Sequence, residues 1–163
     1  MNKNLHQGFT LLEVLVALLV LMVGMLGLAG LQTMALSTNH SAYLRSQAVI
    51  QAHDMADRMH ANSEGVLAGD YNSISGLESS PPVCLTTATS GDALSAVDCT
   101  SAQIAQFDGN EWNTTNAAVL PSGAGSVTGP DGSGSYTITL FWMETEKSGG
   151  DMKTFVFQVK PLP

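Results

Sequence analysis

One carboxylate stands out for its setting. Glu13 heads an apolar run in which no Asp, Glu, Lys or Arg recurs until Arg45. Such a charge, if buried without compensation, costs several kcal/mol. It therefore needs a cation or a place at a lipid–water boundary. Two cysteines, Cys84 and Cys99, lie well beyond the run. In an exported chain an even cysteine count is expected to pair, and closing a loop of about 15 residues would constrain the unfolded chain by about 3 kcal/mol. No Cys-x-x-Cys or His-x-His spacing accompanies them, so a metal is not expected there. His53, Asp57 and His60 share one side of a predicted helix, yet lack a cysteine or second carboxylate and read as a solvated face. Gly-x-Ser-x-Gly elbows, phosphate loops and His-Glu-x-x-His are absent. No catalytic residue, cofactor or metal is expected, and the chain does not read as an enzyme.

Charge and hydropathy say where those residues must sit. Only 12% of the 163 residues are charged, 44% are hydrophobic, and the net charge is −8. Nothing is basic enough to hold a phosphate backbone, so direct nucleic-acid binding is not expected. Val14 to Leu31 is almost entirely aliphatic or Gly, about the minimum to cross a hydrocarbon core roughly 30 Å thick. Phe9 to Leu12 lengthen it. An ordinary secretory signal has its small-residue cleavage site after the apolar stretch. Here the small residue, Gly8, comes before it, so cleavage there would leave the apolar segment as an anchor. Lys3 on the near side predicts a cytoplasmic N-terminus and an external C-terminal domain.

Helical periodicity continues past the anchor. Leu44, Ala48, Ala52, Met55 and Met59 recur at steps of 4, 4, 3 and 4, one face of an α-helix. Arg45, Gln47, Gln51, Asp54, Asp57 and Arg58 lie on the other. No proline precedes Pro81, so one helix of about 80 Å is expected from Phe9 to about Asn62. Asp54 and Arg58, four apart, suit a surface pair worth a few tenths of a kcal/mol. Gly24, Gly27 and Gly30 would let neighbouring helices approach or would simply be tolerated in a membrane. Ser63 to Ser80 reads as loop. Thr100–Phe107 and Glu111–Leu120 read as two short helices, with Trp112 and Trp142 as core aromatics. The period then changes to two. Strands are expected at Ser126–Thr128, Ser135–Glu144 and Thr154–Lys160, separated by the turn Gly129-Pro130-Asp131-Gly132 and a polar loop from Lys147 to Asp151. The expected class is α+β: an antiparallel sheet of at least three strands covering the stripe of a long helix.

Gly8-Phe9-Thr10-Leu11-Leu12-Glu13 closely resembles the processing site of type IV prepilins and pseudopilins. The resemblance implies cleavage by a prepilin peptidase between Gly8 and Phe9, N-methylation of Phe9, and a role for Glu13 in subunit assembly. The new α-amino group of a neighbouring subunit would then neutralise Glu13 and set the fibre's register. Implied divisions are a leader over 1–8, a membrane and fibre-core helix over 9–31, its amphipathic continuation over 32–62, and a periplasmic pilin-like head over 63–163. Asp54-Met55-Ala56-Asp57-Arg58-Met59-His60-Ala61-Asn62, Ala105 to Asp108 with Trp112, Leu120 to Gly125, and Tyr136 to Thr139 before Trp142 further resemble the minor pilins known as type IV pilus modification proteins. Gly30 stands where major pilins often carry a kinking proline. Implied partners are the peptidase, other minor pilins, the major pilin and the inner-membrane assembly platform. The implied location is the inner membrane and then the pilus. A minor pseudopilin of a type II secretion system and a tip adhesin are the alternatives.

Overall fold

A run without proline gives a helix no reason to break. The computed structural model accordingly carries one helix, α1, from Leu11 to Ala61. The structure describes residues 10–72, 74–77, 82, 84–87, 94–96, 99–144 and 150–160. The expected leader and the Gly8–Phe9 bond lie outside them. The chain divides into two compact units, Met1–Ala42 and Tyr43–Pro163.

In the first unit every residue from Leu11 to His40 is exposed. By length and composition α1 is apolar enough to cross a membrane. Both threonine hydroxyls of the run are satisfied within the helix: Thr33 Oγ1 donates to the Ala29 carbonyl at 2.9 Å and Thr38 Oγ1 to that of Met34 at 3.0 Å. This back-bonding lets them sit in an apolar helix without a free donor.

In the second unit the stripe of α1 meets its sheet. Leu44, Ala48, Ala52, Met55 and Met59 are all buried, together with Trp112, Val127, Tyr136, Ile138, Leu140 and Trp142. The stretch expected as loop after α1 is partly ordered into a short helix α2 (Ser63–Ala68) and a strand β1 (Ile74–Ser75). Asn62 caps α2 by accepting from the Gly65 N–H at 3.3 Å. Cys84 and Cys99 form a disulfide with Cα atoms 5.8 Å apart. Between them β2 (Leu85–Thr87) and β3 (Leu94–Ala96) pair antiparallel.

The two short helices expected after the disulfide are one, α3 (Ser101–Val119). Its start is a capping box: Thr100 Oγ1 accepts from Gln103 N at 3.3 Å, and Thr100 N donates to Gln103 Oε1 at 3.0 Å. No proline intervenes before Pro121, so the helix runs on through Gly109. Three strands follow: β4 (Ala124–Thr128), β5 (Tyr136–Glu144) and β6 (Asp151–Val159). The sheet is antiparallel in the order β1-β4-β5-β6, one strand more than the alternating pattern reveals. Its register aligns Tyr136 with Val159, Ile138 with Phe157 and Leu140 with Phe155, so the apolar residues share one face. β6 begins three residues earlier than expected, at Asp151 opposite Glu144. Lys153 lies 3.8 Å from Asp151 and 4.0 Å from Glu144 at this acidic end of the ladder.

Candidate functional site

Two places carry the residues singled out by sequence. The first is the head of α1. Glu13 N donates to the Thr10 carbonyl at 3.0 Å and lies 3.3 Å from Thr10 Oγ1. Thr10 therefore caps the helix and fixes the first turn, a role missed in the sequence although Thr-x-x-Glu signals it. The Glu13 carboxylate sits in that turn, where the helix dipole favours negative charge. It borders an apolar face made with Val14, Ala17, Leu18 and Leu21. Among the described residues, a side chain added at Gly24, Gly27 or Gly30 would meet nothing within 4 Å.

The second place is the C-terminal end of α1, where the Asp54–Arg58 pair belongs to a larger network. Arg58 Nε donates to Asp54 Oδ2 at 2.9 Å, and Arg58 Nη1 to Asp108 Oδ1 of α3 at 3.3 Å. The other Asp108 oxygen accepts from the Tyr71 hydroxyl at 2.6 Å. Asn62 Nδ2 donates to the Tyr71 oxygen at 3.2 Å and to the Ser101 carbonyl at 2.9 Å. Burial and the Asp108 carboxylate push the Tyr71 phenol well above its ordinary pKa. Burial pulls the Arg58 guanidinium down, but hydrogen bonds and charge from Asp54 and Asp108 leave it raised overall. Each partner is engaged in holding α1, the turn before β1 and α3 together. None is arranged as a nucleophile beside a base.

The remaining motifs resolve into packing. Trp112 donates its indole N–H to the Gln51 carbonyl at 2.8 Å, tying α3 to α1. A Cβ on Gly125 would collide with the Trp112 ring, and one on Gly123 with the Asn116 carbonyl oxygen. The Leu120-Pro121-Ser122-Gly123-Ala124-Gly125 segment is thus a close-packed passage from α3 into β4. There Gly125 N donates to Asn113 Oδ1 at 2.6 Å. His53 lies against Phe157, ring centroids 4.8 Å apart. Among the described residues no group of three His, Cys, Asp or Glu side chains is placed to hold a metal ion.

Sequence reading missed Tyr71 and the linking role of Asp108. Their partners lie 9 to 50 positions away, so no local period could announce them. Comparison with known proteins adds a second line. Residues 3–29 match the family model for the prokaryotic N-terminal methylation motif, and residues 30–110 match that for type IV pilin Tt1218. The second match takes in the buried stripe of α1, Tyr71 and Asp108. No match is found among curated proteins or among solved structures.

Proposed function

We propose that this chain, which belongs to the type IV pilins, is a minor pilin resembling PilV that helps start or shape the fibre, at or near its tip. Pilins are structural subunits, and membership brings with it a peptidase-processed N-terminus, membrane association and the pilus assembly machinery. The finer reading rests on the minor-pilin-like segments from Asp54 to Asn62 and from Leu120 to Gly125. The first joins a partly buried ion-pair network and the second is a close-packed turn, which suits a rigid head.

The observation that carries the assembly role is Glu13, the only ionisable residue on the exposed helix from Leu11 to Leu36. Within hydrocarbon it costs about 2.5–3.5 kcal/mol. Cleavage between Gly8 and Phe9 creates an α-amino group, methylated on Phe9, that offsets this cost when a neighbouring subunit presents it. In this reading residues 1–8 are the leader, 9–31 the fibre-core helix, 32–62 its continuation and 63–163 the head. The head faces the periplasm because Lys3 holds the other end inside. Other minor pilins, the major pilin and the inner-membrane platform are its partners.

The test replaces the chromosomal copy with Gly8→Ala or Glu13→Ala. Either variant is expected to stay in the inner membrane, to be missing from sheared fibres and to lower piliation. Normal entry of both into fibres would overturn the assembly role. Quantitative mass spectrometry of sheared fibres tests the minor assignment: this chain should be far below the main subunit, and a dominant share would overturn it.

A further inference from the structure

A small polar cavity of about 130 Å³ lies in the second unit, between the turn after α2, strand β1 and one face of α3. Its lining includes Asp70, Asn72, Ile74, Ser75, Gln106 and Asn110. It belongs neither to the Glu13 helix nor to the Arg58–Asp108–Tyr71 network. Among the described residues lining it, Asp70 is the one formally charged side chain and none is basic.

The walls are held in place. Ser101 Oγ donates to Asp70 Oδ2 at 3.2 Å, and Asn72 Oδ1 accepts from Gly129 N at 3.1 Å. Each acceptor oxygen has a second lone pair for a ligand. The Tyr136 phenol, raised first by burial, is raised further by the charge of Asp70. The volume is roughly that of four waters at ~30 Å³ each. This suits a compact head group with a short apolar stem against Ile74.

We infer that this cavity binds a primary ammonium group, the chemistry of a lysine side chain presented by a partner protein or of a free alkylamine. One carboxylate balances one positive charge, and the Asn72 and Gln106 carboxamide oxygens and the Ser75 hydroxyl accept the remaining N–H donors. A divalent metal is disfavoured because only one of the described wall residues is a carboxylate. Attraction for a basic partner accords with a second unit that holds most of the chain's acidic residues.

The test uses the full chain in detergent micelles, following the side-chain amide signals of Asn72, Gln106 and Asn110 by NMR. Nα-acetyl-lysine methylamide should shift them at millimolar concentration, while the uncharged norleucine analogue should not. Asp70→Asn should weaken binding at least tenfold. Asn72→Asp, which adds a carboxylate, should tighten it severalfold, an effect that misfolding cannot mimic. If n-butylamine binds as tightly as the lysine derivative, free amines are the source; if more weakly, a lysine on a polypeptide is. Absence of shifts, equal shifts with norleucine, indifference to Asp70→Asn, or tighter binding of calcium at the same signals would overturn the inference.

Discussion

The Tyr71 hydroxyl donates a 2.6 Å hydrogen bond to the Asp108 carboxylate, whose other oxygen is held by Arg58 of α1. Through this one carboxylate the turn before β1, helix α3 and the end of the long helix are fixed to one another. Asp108 is nearly buried and Tyr71 wholly so, whereas Asp54 is substantially exposed. The two ends of the network should therefore differ in energetic weight.

Asp108→Ala is expected to destabilise the full chain by about 2–4 kcal/mol, because it leaves a buried phenol and a half-buried guanidinium without their carboxylate. Asp54→Ala, at an exposed i,i+4 pair, should cost only about 0.5 kcal/mol. In chemical denaturation, Tyr71→Phe combined with Asp108→Ala should show a coupling of at least ~1 kcal/mol. Additive losses would mean that the phenol and the carboxylate do not act as a pair.

The raised Tyr71 phenol makes stability fall at alkaline pH. The folded protein binds the phenolic proton more tightly than the unfolded chain does, so the contribution is complete below the unfolded value of 10.0 and is lost as pH rises beyond it. Tyr136 adds a like effect, being raised by burial and by Asp70. While a phenol is ionised only in the unfolded chain, the slope is about 1.4 kcal/mol per pH unit. Denaturation series from pH 8 to 11 should show a shallower decline for Tyr71→Phe than for the native chain. Identical slopes would remove Tyr71 from the account.

What was legible in the sequence follows from how far each feature reaches along the chain. The stripe from Leu44 to Met59, the alternation from Tyr136 to Trp142 and the apolar helix around Glu13 are periodic, and periodicity survives without tertiary context. The unity of α3 was hidden because Gly109 and Asn110 interrupt a helical pattern in the sequence. In the structure Ile74 of β1 packs where the Gly109 side chain would be. Strand β1 itself is two residues long and exists through its pairing with Val127 and Ser126. No window that short has a period. Asp54 and Arg58 read as no more than a surface pair for the same reason: Asp108, 50 positions beyond Arg58, is what ties Arg58 to α3.

The disulfide should matter through the unfolded state. It joins residues 15 positions apart, and closing a loop of that size is worth about 3 kcal/mol at 25 °C. Replacing both cysteines by serine should lower stability by about 2–4 kcal/mol. The Trp112 environment, which lies outside the loop, should be unchanged in the native state by fluorescence. Denaturation with and without reductant checks this: the native chain should lose stability when reduced, and the double variant should not respond.

Gly125 is the most demanding position in the passage from α3 to β4. Its place opposite Leu140 in the β4–β5 ladder prevents the backbone from moving aside, and the Trp112 ring occupies the space of a Cβ. The ring cannot swing away cheaply either, since its N–H is committed to the Gln51 carbonyl. Overpacking of this kind typically costs about 1–3 kcal/mol, and breaking a buried hydrogen bond adds about 1–3 kcal/mol. Gly125→Ala should therefore destabilise by at least ~2 kcal/mol and red-shift Trp112 fluorescence as the indole moves towards solvent. Gly132→Ala, in the exposed turn where an added Cβ meets nothing within 4 Å, is the control and should change stability by less than about 1 kcal/mol. If the two variants behave alike, the close approach of Gly125 to Trp112 does not govern the packing of α3 on the sheet.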